Sequence, residues 1–207
     1  AEPVVVVNLG GFCNVTRLPG DSSADGVGAI EARDVCACNL ILNRVAHVVF
    51  GVEYDEDGRR AAAGRVHAEA ADELARELAS QAGAARSLGT GDEVDSWVER
   101  WKERVGTDLA RTAVEGVART IARACAGVKT MLLAGGGAKN HALAARLAEL
   151  HDGEAHTTAA AGVPVEYREA AAMAVLGALC QDRVPITLPQ VTGAAGAAPV
   201  AGCWAGV

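Results

Sequence analysis

The sequence predicts an α/β domain, and three observations carry that prediction. Half of the 207 residues are hydrophobic but only 3% are aromatic. A core built largely from Ala, Val and Leu packs small side chains closely, which suits layered α/β structure better than a β-sandwich. Two apolar strand-like runs, residues 4–7 and 129–133, each lead into a glycine turn. Long Ala/Leu-rich stretches with helical spacing lie between and after them.

The elements follow in order. Val4-Val5-Val6-Val7 is a β-branched run of the kind that forms a buried strand. Asn8-Leu9-Gly10-Gly11 turns it into a second strand over residues 13–18, and residues 19–23 have loop chemistry. A third strand is expected near residues 27–32 and a helix over 39–50. Asp55-Glu56-Asp57-Gly58 reads as a turn. Residues 61–82, with Leu74 and Leu78 four apart, read as one amphipathic helix. After a loop at 83–91, a helix over 92–105 places Val94, Trp97, Val98 and Trp101 on one face. The two tryptophans read as a core stripe rather than a sugar platform. A third helix over 108–126 has Asp108 as its expected N-cap and Gly127 as its stop. Residues 129–133 form a strand, 134–137 a triple-glycine turn, and 140–150 a helix. An alanine-rich helix covers 166–180. The Gly/Ala/Pro-rich tail, 189–207, does not read as helix, and no internal repeat is visible.

Composition excludes several functions. The net charge is −7 and no Lys/Arg run is present, so nucleic acid is not an expected partner. No apolar run reaches the roughly 18 residues that suggest a membrane span, and no signal peptide precedes Ala1. The expectation is a cytoplasmic protein with reduced thiols. The six cysteines (Cys13, Cys36, Cys38, Cys125, Cys180 and Cys203) show no dense disulfide framework. Cys36-Ala37-Cys38 invites a zinc reading, with His47 or Cys13 as further ligands. No second ligand pair has zinc spacing, so cysteine as a small buried residue is the preferred reading and no metal ligand is assigned. The five histidines are dispersed. His67 with Asp72 reads as part of a solvated helical face.

Glycine turns after strands let a ligand approach the backbone closely. Residues 134–140 are not a Walker loop, because no Gly-Lys-Ser/Thr follows, and they lack Gly-x-Gly-x-x-Gly spacing. They are either an ordinary strand-to-helix turn or, paired with the turn at 8–11, one side of a nucleotide cleft.

Five segments carry a family resemblance. Residues 8–16 (NLGGFCNVT), 53–66 (EYDEDGRRAAAGRV), 134–147 (AGGGAKNHALAARL), 166–179 (EYREAAAMAVLGAL) and 188–194 (LPQVTGA) occur in the order found in anhydro-N-acetylmuramic acid kinases, which the chain resembles over nearly its whole length. The resemblance implies the second lobe of an actin-like ATPase fold (ribonuclease H-like), a mixed sheet flanked by helices, with nucleotide bound against a first lobe. It places Gly135, Gly136 and Gly137, with Asn140 at the end of that segment, against the adenosine. Asn8, Gly10, Gly11 and Asn14 fall on the phosphate side, and residues 170–176 in the closing helix between lobes. It implies ATP with Mg²⁺ and a small-molecule hydroxyl acceptor. The family's phosphate loop and general-base aspartate belong to the first lobe and have no counterpart in these residues.

The chain also departs from the family. Residues 33–39 read Arg-Asp-Val-Cys-Ala-Cys-Asn where the family has Phe-Asp-Thr-Gly-Pro-Gly-Asn. Asp34 and Asn39 remain and are the candidate substrate-binding residues, Asp34 also the candidate catalytic one. Cysteine does not readily take a glycine's positive φ, so the loop is expected to follow a different path. Residues 86–91 keep only part of the family's Lys-Ser-Thr-Gly-Arg-Glu segment, so the muramic-acid specificity is not carried over. The leading reading is one lobe of a split phosphotransferase whose partner chain supplies the first lobe. The alternatives are a non-catalytic binding or scaffold subunit, or a subunit of another ATP-dependent enzyme.

Overall fold

The four-valine run extends through Asn8 and Leu9 as strand β1 (Val4–Leu9). In the computed structural model, which describes residues 2–20, 26–82 and 86–197, β1 is the centre of a five-stranded sheet. Strands β2 (Phe12–Leu18) and β3 (Glu31–Ala37) follow antiparallel on one side. Strands β4 (Thr130–Ala134) and β5 (Glu154–Thr157) lie parallel on the other, giving the order β3-β2-β1-β4-β5. The sheet is therefore mixed.

Alternation decides which face is covered. Val5, Val7 and Leu9 of β1, Cys13 and Val15 of β2, and Met131 and Leu133 of β4 are buried. They join one core with helices α1 (Asn39–Phe50), α2 (Arg59–Ala63), α3 (Ala68–Ala82), α4 (Asp95–Val105), α5 (Leu109–Ala124) and α6 (His141–Leu150). Helix α5 is central and packs against α3, α1, α2 and α6. Gly116 lets it approach α3, since a Cβ there would stand 2.7 Å from Leu74 Cδ2. Trp97 and Trp101 are fully buried, and the Trp97 indole N–H donates to Ala70 O at 3.0 Å. Each large apolar side chain so buried contributes about 1.5–3 kcal/mol. Helix α7 (Arg168–Gln181) is tied to β1 at its first residue, Arg168, and the single-turn helix α8 (Pro189–Thr192) rests on β3. Among the described residues no helix is long and apolar enough to cross a membrane.

Several expected boundaries move. Residues 26–29 form a 3₁₀ turn with Val27 largely exposed, and the third strand begins only at Glu31. It is an edge strand with an alternating polar face, so apolarity does not mark it. The helix expected over 61–82 is two helices, broken at Gly64, where the backbone is extended (φ −86°, ψ 175°). There the chain is held across α5, as Arg65 N–H donates to Asp108 Oδ1 and His67 N–H to Thr112 Oγ1. Asp108 thus satisfies a neighbouring segment instead of capping its own helix. Helix α4 starts at Asp95, not 92, because Val94 is left-handed (φ 63°). Strand β5 has no apolar run to announce it, and the tail contains the unexpected α8. The remainder of the tail from 198, and residues 21–23, lie outside the described residues.

Candidate functional site

The two glycine turns meet. Asn39, first residue of α1, joins them: its backbone N–H donates to Gly10 O at 3.0 Å and its side-chain Nδ2 to Leu9 O at 3.0 Å. Its Oδ1 lies only 2.7 Å from where a Cβ on Gly137 would stand. Gly135 is left-handed (φ +80°), and a Cβ there would meet Asn8 Oδ1 at 2.7 Å and Leu9 O at 2.9 Å. Both outer glycines are therefore required by the first turn pressing on the second. Gly136 differs, since a Cβ at that position meets nothing within 4 Å. It faces an open recess of about 200 Å³ shared with Gly135, Lys139, Glu166 and Arg168. Arg168 Nη2 donates to Asn8 Oδ1 at 2.9 Å, and Lys139 pairs with Glu166 at 3.2 Å, so the start of α7 closes one side.

A polar row leads away from this recess along one level of the sheet. Ala134 on β4 pairs with Asn8, Asn8 with Asn14, and Asn14 with Asp34. Strand spacing of about 4.8 Å puts Asn8 and Asp34 roughly 10 Å apart. A bulge between β2 and β3 creates the last pairing: Cys13 opposes Cys36, but Asn14 opposes Asp34, leaving Val35 as the extra residue. Strict alternation from buried Cys36 would turn Asp34 toward the core, where an unpaired carboxylate is costly. The bulge instead presents it beside Asn14, the re-aiming for which bulges are known. Asp34 Oδ2 accepts from Leu88 N–H at 2.8 Å. The row ends in a groove of about 850 Å³ whose lining includes Asn14, Arg33, Asp34, Arg86, Gln190 and Thr192. Arg86 is held by a two-bond pair with Asp92 (2.6 and 2.8 Å), which depresses the Asp92 carboxyl to about 2.

The structure thus gathers Asn8, Gly10, Gly11, Asn39, Gly135, Gly136 and Gly137 at the joined turns, and Asn14 with Asp34 at the groove. Asn39, expected on the substrate side, stands at the turns. Asn14, expected with the phosphates, sits between the turns and the groove. Asn140 caps α6, its Oδ1 accepting from Leu143 N–H at 3.0 Å, and its side chain packs on Gly58. Arg168 and Gln190 were not singled out by sequence; Arg168 precedes Glu169 in a run otherwise read as closing helix, and only the fold brings it to Asn8. Among the described residues the cysteines, Cys13, Cys36, Cys38, Cys125 and Cys180, are buried and free. Burial pushes the Cys13 and Cys36 thiols well above their ordinary range and Cys38 up to about 12, so they are protonated at neutral pH. Among the described residues, no three His, Cys, Asp or Glu side chains converge as a metal site.

Comparison with known proteins adds a relationship to this geometry. The family model described as anhydro-N-acetylmuramic acid kinase matches residues 1–204. The chain is 35% identical to the anhydro-N-acetylmuramic acid kinase of Cupriavidus pinatubonensis, over 95% of this chain and 54% of that protein. It is 33% identical to that of Bordetella petrii, over 92% and 52%. The chain spans about half the length of the curated relatives it matches. Among solved structures, the activator of the 2-hydroxyisocaproyl-CoA dehydratase from Clostridium difficile, with bound ADPNP, superposes on 74% of this chain and 53% of its own, with 14% identity and a TM-score of 0.48.

Proposed function

Because this chain belongs to the anhydro-N-acetylmuramic acid kinase family, we propose that it forms the nucleotide-binding wall of a phosphotransferase that moves a phosphoryl group from ATP to a hydroxyl of a sugar or similar small molecule. One observation carries the reading: two glycine turns, interlocked through Asn39 and Leu9, leave Gly136 alone facing open space, and a polar row runs from them to Asp34 and its groove. Backbone approach of this kind suits a nucleotide, since a side chain at the open position would occupy the ligand's volume. The fit extends to the remaining residues. The joined turns bind and orient the adenosine and its phosphates, and the groove, lined by carboxylate, guanidinium and amide groups, hydrogen-bonds a polyhydroxylated acceptor.

Mg²⁺ carried in with ATP would neutralise charge on the phosphates, and we assign Asp34 to hold its water shell. The opposite wall comes from outside these 207 residues, and we assign it to a partner chain carrying the family's first lobe. Without it neither phosphates nor acceptor are enclosed. Asp34 Oδ2 accepts the Leu88 N–H, which fixes the orientation of the carboxylate, and the family resemblance assigns proton removal to the first lobe.

A second reading, a binding subunit without chemistry, is favoured by one observation: Asp34 and Arg86 are both engaged in holding the 86–92 loop. One experiment separates the two. ATP turnover is measured for the chain alone, for the first half of a full-length relative alone, and for the mixture, with a panel of sugars. Turnover in the mixture only supports the split enzyme. Robust turnover by the chain alone would refute the missing-wall argument, and ATP binding without turnover in a stable mixed complex would favour the binding subunit.

A further inference from the structure

The recess beside Gly136 contains a cation, Arg168, to which the family resemblance gives no role. Arg168 is the first residue of α7, and only 27% of its side chain is exposed. Its Nη2 donates to Asn8 Oδ1 at 2.9 Å, an oxygen without formal charge. Its nearest carboxylate, Glu169 Oε1, stands at 3.5 Å on a side chain that is 84% exposed. Its Nε is buried and has no hydrogen-bond partner. A half-buried guanidinium of this kind has an unused N–H and a charge that solvent-exposed Glu169 compensates only weakly.

The location gives the cation a purpose. Asn8 Oδ1, which Arg168 holds, also stands 2.7 Å from the Cβ position of Gly135, so the guanidinium lies at the junction of the two turns. Lys139 shares the recess but is paired with Glu166, which leaves Arg168 as the less neutralised of the two. Arginine's planar fork matches phosphate oxygens two at a time. We propose that Arg168 is a phosphate-contacting residue of the nucleotide site, making the second lobe selective for adenine nucleotides over the nucleoside while fixing the Asn8 amide. The inference rests on the nucleotide reading of the joined turns and adds the residue that reads charge there.

The test is a titration of the 207-residue chain with ATP, ADP and adenosine, followed by amide NMR shifts of residues 135–137, for the wild type and for R168A, R168K and G136V. Loss of a charge-assisted contact costs about tenfold in affinity. Expected is a roughly tenfold weakening of ATP and ADP by R168A with adenosine unchanged. R168K, which keeps the charge without the fork, should lie between R168A and the wild type. Equal weakening of all three ligands by R168A and R168K would show a purely structural role and overturn the proposal. If R168A binds ATP as the wild type does while G136V does not, the phosphate contact is wrong and the nucleotide reading stands. If ATP moves no amide of 135–137 in the wild type, the nucleotide reading itself falls and the proposal with it. Melting curves of each variant guard against misfolding, and R168K keeps the test decisive should R168A unfold.

Discussion

Three adjacent glycines in one turn carry three different physical demands. Gly135 needs its positive φ and has Asn8 Oδ1 and Leu9 O within 3 Å of any Cβ, and Gly137 is closed by Asn39 Oδ1 and Leu9 Cβ. Gly136 has neither restriction. Gly135→Ala is therefore expected to cost at least about 2 kcal/mol of stability, from strain plus contact, seen as a shifted urea midpoint. Gly136→Val should fold with an unchanged midpoint and lose ATP binding, because it fills the ligand's space and nothing else. A destabilised Gly136→Val, or one that binds ATP as the wild type does, would remove the argument for a nucleotide against this turn. The sequence shows three glycines in a row and cannot rank them, because the ranking depends on which atoms of residues 8, 9 and 39 press against each. The same is true of the asparagines. Asn8, Asn14 and Asn39 could all be chosen as polar residues near glycine turns, but the division between turn and groove is set by strand register and by one bulge at Val35.

Elements were legible where apolar spacing is strong and lost where close backbone contact decides. The valine strand, α1 and the Trp97/Trp101 face follow directly from pattern. Strand β5 does not, since Glu154-Ala155-His156-Thr157 is short and polar, and its pairing depends on Gly153. A Cβ on Gly153 would stand 1.9 Å from Lys129 O, the acceptor of the Glu154 N–H. Gly153→Ala should detach the edge of the sheet, costing more than about 2 kcal/mol and exposing the amides of β5 to fast hydrogen exchange. Unaltered protection there would mean that β5 is not held through this contact. The loop bearing Arg86 offers a pH test. Asp92 accepts two bonds from Arg86 and one from Gly89 N–H, and its carboxyl is held near 2 in the folded chain. An unfolded aspartate titrates at about 3.9. The folded value is depressed, so this stabilisation is complete above about pH 4 and lost as pH falls through about 2. The Gly89 amide proton should therefore titrate with a midpoint near 2, and Asp92→Asn should abolish that transition. A midpoint near 3.9 would show that the pair does not hold the loop in solution.

At the scale of the molecule the unusual feature is α7. It is rich in Ala, Met, Val and Leu, yet only Cys180 within it is buried, and Met173 and Val175 are 68% and 60% exposed. Its attachment is at its start, through Arg168 to Asn8, beside the Lys139–Glu166 pair just before it. An apolar helix left on the surface in this way marks an interaction face. The chain spans about half of its relatives' length, and under the reading proposed above the cover for this face would be the family's first lobe. The expectation is that the first half of a full-length relative, mixed with this chain, elutes with it as a 1:1 complex. Met173→Asp with Val175→Asp should abolish that complex, because it places two charges in a desolvated contact. The same double variant alone should melt within about 2 °C of the wild type, since substitutions at surface positions away from packed features change stability little. Loss of complex with unchanged melting would identify α7 as the seat of the first lobe. A complex that forms equally well with both charges in place would move that seat elsewhere, and with it the direction from which the second wall of the nucleotide cleft closes.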